Sequence, residues 1–283
     1  MVKLVLAKIN DDFYRKKLRG IDSDYVSNDK ATPLKEKINF LSYGKNKFEG
    51  MFISNPHSNI KVYKNLNGYY VKKCYDISCY EEGLHEAVIG LELNFLNNSN
   101  FIKTYGYDDS LYLEYIHGEN MSKYNFDKKN LISILIQIAF ALYEAEEKLG
   151  FCHNDLHDNN IIISKVEEEN MSYKYNGEEF LISNHGYKAI IVDLENATTN
   201  RFNHMEINYG VGYYGKSTTV VKDMFCLLVS LKSYKIVISL LKKIFFISDI
   251  ESLCKEYKFF EHRYPINTGI PMEKIIRTLL DEY

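Results

Sequence analysis

Two short stretches carry residue types that could do chemistry. In His153-Asn154-Asp155-Leu156-His157-Asp158-Asn159-Asn160 a carboxylate stands five residues before a carboxamide, just ahead of an apolar run at 161–163. Further on, a second apolar run ends in Asp193-Leu194-Glu195. Phosphoryl transfer needs a carboxylate to orient the attacking hydroxyl and two oxygen ligands to hold magnesium on the phosphates. Asp155, then Asn160 and Asp193, supply those parts in chain order. Taken alone, a loop rich in Asp and Asn is also what a helix-to-strand turn uses to satisfy its own backbone groups. The ordered combination of both stretches is far more specific than either.

Several elements must position these groups. From 40 to 75, short runs rich in Tyr, Ile and Val are broken by Asn-Pro, Ser-Asn and Asn-Gly, which predicts strands and hairpins. The stretch 81–96 changes to helical spacing, with Leu84, Val88, Leu91 and Phe95 on one face. Two further strands are expected at 101–107 and 111–115, around the turn Asp108-Asp109-Ser110. Beyond Gly118 the character is helical. Asp127 can cap a long helix with Leu131, Leu135, Ile138 and Leu142 at three- and four-residue spacing, and Gly150 suits its C-terminal end. Helical pattern resumes at about residue 218. The 32 residues between Asn160 and Asp193 include Asn176-Gly177, a hairpin-turn signal, so an inserted hairpin is expected near 165–188. The expected fold class is α+β and bilobal, with a β-rich N-lobe and an α-helical C-lobe. Its expected parts are an extension at 1–38, the N-lobe at 39–116 and the C-lobe at 117–283. A cleft between lobes is where a small-molecule site forms.

Composition narrows the function classes. The 283 residues are 46% hydrophobic and 26% charged, a globular composition, and can bury a substantial core. A formal net charge of −3 gives no reason to expect a nucleic-acid-binding surface. The five cysteines are scattered without a CxxC pair, so neither a disulfide framework nor a zinc cluster is supported. The first apolar stretch is too short for a signal peptide, and 236–246 is too short and too charged to span a bilayer. Intracellular residence, cytoplasmic or nuclear, is the expectation.

The stretch 153–160 resembles the HRDLxxxN loop of the protein-kinase superfamily, and Asp193-Leu194-Glu195 stands where that family has Asp-Phe-Gly. The His after Asp-Leu is similar to haspin and to divergent serine/threonine kinases of large DNA viruses. Residues from about 40 to 235 take part in the resemblance. It implies that Asp155 is catalytic and that Asn160 and Asp193 are magnesium ligands. Val71-Lys72-Lys73 resembles the strand whose lysine contacts the nucleotide phosphates; the pattern selects Lys72, with Lys73 in reserve. His85-Glu86 resembles the following helix, with Glu86 as the ion-pair partner of that lysine and Glu81 or Glu82 as substitutes. Tyr43-Gly44-Lys45-Asn46-Lys47-Phe48 can be laid on the glycine-rich phosphate loop through Gly44, though Asn46 and Glu49 replace glycines and an ordinary hairpin turn fits nearly as well. The stretch 111–118 resembles the strand and hinge that bind adenine, with Leu113 as gatekeeper and backbone groups of Glu114 and Ile116 as adenine contacts. Asp223 resembles the aspartate that braces the catalytic-loop backbone.

Three departures matter. Asn154 replaces the arginine that pairs with a phosphorylated activation segment, so activity is expected to survive phosphatase treatment. His157 replaces a phosphate-contacting lysine. Glu195 replaces a glycine, which disfavours a backbone flip there and could bring a carboxylate to a second metal ion. No Ala-Pro-Glu motif lies between Asp193 and Asp223, an absence shared with haspin-like kinases. The resemblance thus implies ATP and Mg2+ as cofactors and a protein hydroxyl, Ser or Thr, as acceptor. Two alternatives stay open: a small-molecule kinase of the choline or aminoglycoside type, whose loops carry an acid two residues after the metal aspartate, and a nucleotide-binding pseudokinase scaffold.

Overall fold

The computed structural model describes residues 51–52, 59–65, 68–76, 79–108, 110–202, 219–247 and 270–283. The front of the chain builds a five-stranded antiparallel sheet in the order β1-β2-β3-β5-β4. Its strands are β1 (Met51–Phe52), β2 (Ile60–Asn65), β3 (Gly68–Cys74), β4 (Thr104–Tyr107) and β5 (Ser110–Glu114). Helix α1 (Tyr80–Leu93) lies between β3 and β4 in sequence and packs on β4 and β5. The α-helix stops at Leu93 and continues as one 3-10 turn, Asn94–Leu96, so the apolar stripe does not reach its expected end. Leu84 and Val88 are in the core, whereas Phe95 is turned out to solvent.

The remainder is mostly helical. Helix α2 (Lys128–Leu149) begins where the Asp127 side chain accepts a hydrogen bond from Asn130 N. It ends at Gly150 in the left-handed conformation, φ 62°. Its middle is buried on all sides from Leu131 to Leu142, which makes it the centre of the helical core. Gln137 is buried there as well. Its amide donates to Tyr187 O and accepts from Ala189 N, so no polar group is stranded where α2 meets a strand edge. Helices α3 (Val220–Ser230), α4 (Lys235–Phe245) and α5 (Met272–Glu282) complete the block. The Thr219 side chain caps α3 by accepting from Lys222 N.

A small three-stranded sheet bridges these parts: β6 (Gly118–Asn120), β7 (Ile161–Lys165) and β10 (Tyr187–Ile191), in the order β10-β7-β6. Between β7 and β10, strands β8 (Asn170–Tyr175) and β9 (Glu178–Ser183) form a separate hairpin. Asn176 and Gly177 turn it, with φ of 49° and 81°, the twist that two-residue hairpin loops favour. Tyr173 stacks on Phe140 of α2 at 4.5 Å and Tyr175 meets Tyr143 edge-on, so the hairpin is fastened to the core by aromatic contacts. The α+β class, with strands in front and helices behind, is the one the sequence implies. Among the described residues, no helix is long and apolar enough to cross a membrane.

Candidate active site

Antiparallel pairing of β7 with β10 places the two motif stretches side by side. Ile161 pairs with Ile191, and just beyond that pair Val192 N donates to Asn160 O at 3.0 Å. Asn160 and Asp193 therefore leave neighbouring strand ends. The loop before β7 is pinned from below by Asp223 on α3. One carboxylate oxygen accepts from His153 N at 2.7 Å and the other from Asn154 N at 2.9 Å. Cys152 Sγ donates to the same carboxylate at 3.3 Å. All of these groups are buried, and burial pushes the Asp223 carboxyl up while the hydrogen bonds and His153 oppose it. His153 reaches across to Val192 O at 3.0 Å, and Asp158 N donates to Ser230 on α3.

Asp155 emerges from this braced loop with its side chain about a quarter exposed, at 26%. The Asn160 amide nitrogen donates to Asp155 O at 2.9 Å, which leaves the amide oxygen as the atom able to ligate a cation. Burial holds the Asp155 carboxyl above the ordinary aspartate range; His157 and His153 pull it down, and Asp193 and Asp223 push it up. His157 Nε2 lies 3.9 Å from the Asp155 carboxylate, while its Nδ1 accepts from Asn159 N. Asn154 and Asp193 both adopt positive φ, 66° and 64°, a strained conformation for side-chain-bearing residues that clusters at functional sites.

Across from the loop, the sheet contributes a lysine, and here the structure corrects the sequence. Lys73, not Lys72, reaches Glu86. Its Nζ lies 2.9 Å from Glu86 Oε2, 2.7 Å from Asp193 Oδ1 and 3.6 Å from Glu195 Oε2. The reason is the two-residue alternation of a strand. Lys72 pairs with Tyr112 of β5 and lies over its ring at 5.4 Å, on the opposite face of the sheet. Val71 and Lys73 share the other face with Leu113 and Leu111, their register partners. Burial alone would lower the Lys73 pKa, but the Glu86 and Asp193 carboxylates outweigh it and hold the ammonium charged.

Glu86 is enclosed by donors. Besides Lys73, its Oε2 accepts from Tyr75 Oη, and its Oε1 accepts from Leu194 N at 3.3 Å. Glu81 and Glu82, the alternative partners, are not bridged to Lys73. Glu86, Asp193 and Glu195 bring one carboxylate oxygen each within 4.8 Å of one another, a spacing that can hold a cation. Hard divalent ions such as magnesium take oxygen ligands of this kind. Burial raises the Glu195 carboxyl, Lys73 lowers it, and the neighbouring acids Asp193, Glu86 and Glu82 raise it further.

Of the other expected contacts, Leu113 is buried on the Lys73 face of the sheet. Glu114 N donates to Lys103 O at 2.9 Å, and Ile116 follows in the connection to β6. Gly44 lies outside the described residues. One residue that sequence reasoning passes over stands out. Tyr75 continues the alternation 71, 73, 75, which is the signal that could have found it. Asn154 fills the place of the missing arginine with a different bond: its amide donates to Asn196 O at 2.9 Å and to Thr198 Oγ1 at 3.2 Å.

No family model matches the chain. Part of it is 39% identical over 61 residues to the serine/threonine-protein kinase haspin of Mus musculus, covering 22% of this chain and 8% of that protein. Another similarity, 37% over 71 residues, is to the uncharacterized protein 098R of Invertebrate iridescent virus 6, covering 24% of this chain and 12% of that one. The chain thus matches only a small share of the length of either relative. Among solved structures, the Rio2 kinase-ADP/Mg2+-phosphoaspartate complex from Chaetomium thermophilum aligns with 82% of this chain and 69% of its own, at 14% identity and a TM-score of 0.39. The local similarities support a divergent protein-kinase-like relationship.

Proposed function

We propose that this chain is an ATP- and magnesium-dependent phosphotransferase that moves the γ-phosphate of ATP to a protein hydroxyl, of serine or threonine. The observation that carries this reading is the convergence of Lys73, Glu86 and Asp193, joined by bonds of 2.9 and 2.7 Å, beside a catalytic loop braced by Asp223. In this reading Lys73 neutralises phosphate oxygens and Glu86 holds its ammonium in place. Leu113 and the backbone at Glu114 and Ile116 border the adenine. The Asp193 carboxylate and the Asn160 amide oxygen would hold magnesium, which when bound spreads the negative charge of the phosphates. Asp155 accepts the hydrogen bond of the incoming hydroxyl. Its partial burial keeps it more basic than an ordinary aspartate, which suits that role. In this reading His157, whose Nε2 lies 3.9 Å from the Asp155 carboxylate, would contact the transferred phosphate. Most of the rate gain would then come from positioning and electrostatics.

One observation favours a second reading, a small-molecule kinase of the choline or aminoglycoside type. Glu195, two residues after Asp193, joins the same acidic cluster and could serve a second metal ion. One experiment separates the readings: incubation with γ-labelled ATP and magnesium against casein, histone and choline. Label in protein Ser or Thr supports the first reading and label in choline the second. Nucleotide binding without transfer to any acceptor would overturn both in favour of a scaffold.

A further inference from the structure

Lys73 is a single ammonium shared among three carboxylates, Glu86, Asp193 and Glu195. Under the proposed function, on which this inference rests, that ammonium must turn towards phosphate and Asp193 towards a metal. Lys73 then divides its charge between phosphate and Glu86, and Glu86 must keep its own position to hold the ammonium there. Two other donors do not take part in that exchange: Leu194 N on Oε1 and the Tyr75 hydroxyl on Oε2. The Tyr75 ring also lies 5.3 Å from Lys73 Nζ, so it touches both members of the pair.

Helix α1 is built to admit this ring. A Cβ placed on Gly83, one turn before Glu86, would lie 2.4 Å from Tyr75 Cδ2 and 2.8 Å from two further ring carbons. Gly83 is an interior helical position where glycine costs stability relative to alanine, so the space it leaves has a use. The phenol also suits the task chemically. Burial, and then Glu86, raise its pKa, so it stays a neutral donor at every working pH and adds no positive charge to compete with Lys73 for phosphate.

We infer that Tyr75 is a positioning residue, which holds the Glu86 carboxylate in place while Lys73 exchanges Asp193 for phosphate, and that Gly83 exists in α1 to let it in. The test is a double-mutant cycle on the full chain with Tyr75→Phe, Glu86→Gln and the double variant, beside Asp155→Asn. Tyr75→Phe should lower kcat/KM for ATP by ~10-fold, the cost of one charge-assisted hydrogen bond. The double variant should be no worse than Glu86→Gln alone, because both changes cut one link. Additive losses, or full activity in Tyr75→Phe, would overturn the inference. Amide hydrogen exchange in the nucleotide-free protein gives a second readout independent of turnover. Leu194 N–H should exchange faster in Tyr75→Phe; unchanged exchange counts against the inference. Gly83→Ala, which keeps the hydroxyl but displaces the ring, should speed the same exchange and serves if Tyr75→Phe does not fold. A wild type that transfers no phosphate would refute the proposed function, while the exchange result would still decide the role of Tyr75.

Discussion

The two halves of the candidate site are held in place by different physics. The loop 152–160 hangs on backbone N–H groups that donate to a single buried carboxylate, Asp223. The opposite half is a charge cluster. Lys73 and Glu86 are largely enclosed, with side-chain exposures of 18% and 2%, whereas Asp193 and Glu195 are open to 42% and 38%. Buried backbone bonds are costly to break and fix one geometry. Ion pairs at a partly open site exchange partners readily and are screened. Under the proposed function the contrast divides the labour: the loop would present Asp155 rigidly, and the cluster would trade an internal ion pair for phosphate and metal.

Lys73→Met would break the comparison most severely. Removing the only cation bridged to Glu86 and Asp193 among the described residues should cut transfer by ~10²–10³-fold, the scale of losing one preorganised electrostatic donor. Lys72→Met is its control, since it loses a cation–π contact on the other face of the sheet, worth about 0.5–1 kcal/mol. Equal losses in steady-state assays of the two variants would contradict the assignment. Next in size, Asp223→Ala strands two buried N–H groups and should cost about 3 kcal/mol of folding stability, read from denaturant midpoints. A shift confined to activity, with the midpoint unmoved, would show that the loop is not braced this way.

The smallest effect concerns pH. Glu92 on α1 accepts from Thr199 Oγ1 at 2.6 Å, and burial raises its pKa in the folded state despite that bond. An acid whose folded pKa exceeds its unfolded value favours the fold when protonated and loses that contribution as pH rises through the folded pKa. Glu92→Gln should therefore gain stability relative to wild type between pH 4 and pH 7. Parallel urea titrations at the two values would check it, and a constant difference would refute it.

Much of the architecture is legible in the residues. Asp127 and Gly150 mark both ends of α2, Asn176-Gly177 marks the hairpin turn, and the family resemblance at Asp223 anticipates its bond to the loop. Such signals are local: a cap, a positive φ or a short motif imposes its own geometry. The choice between Lys72 and Lys73 is not local. Tyr69, Tyr70, Lys72 and Lys73 give both faces of β3 one tyrosine and one lysine, so alternation alone cannot say which face meets Glu86; pairing with β5 decides it. Phe95 fails for a related reason, because periodicity does not reveal that the helix tightens after Leu93. Tyr75 lies beyond any motif, and its role depends on α1 folding back over the end of β3.

The central claim is that Asp155 receives the hydroxyl of an acceptor during transfer from ATP. Its most direct test is Asp155→Asn, compared with wild type for label transfer from γ-labelled ATP and for nucleotide affinity by calorimetry. Transfer should fall by ~10²–10⁴-fold, the contribution of a positioned base, while affinity stays within about threefold. Undiminished transfer by the variant would contradict it.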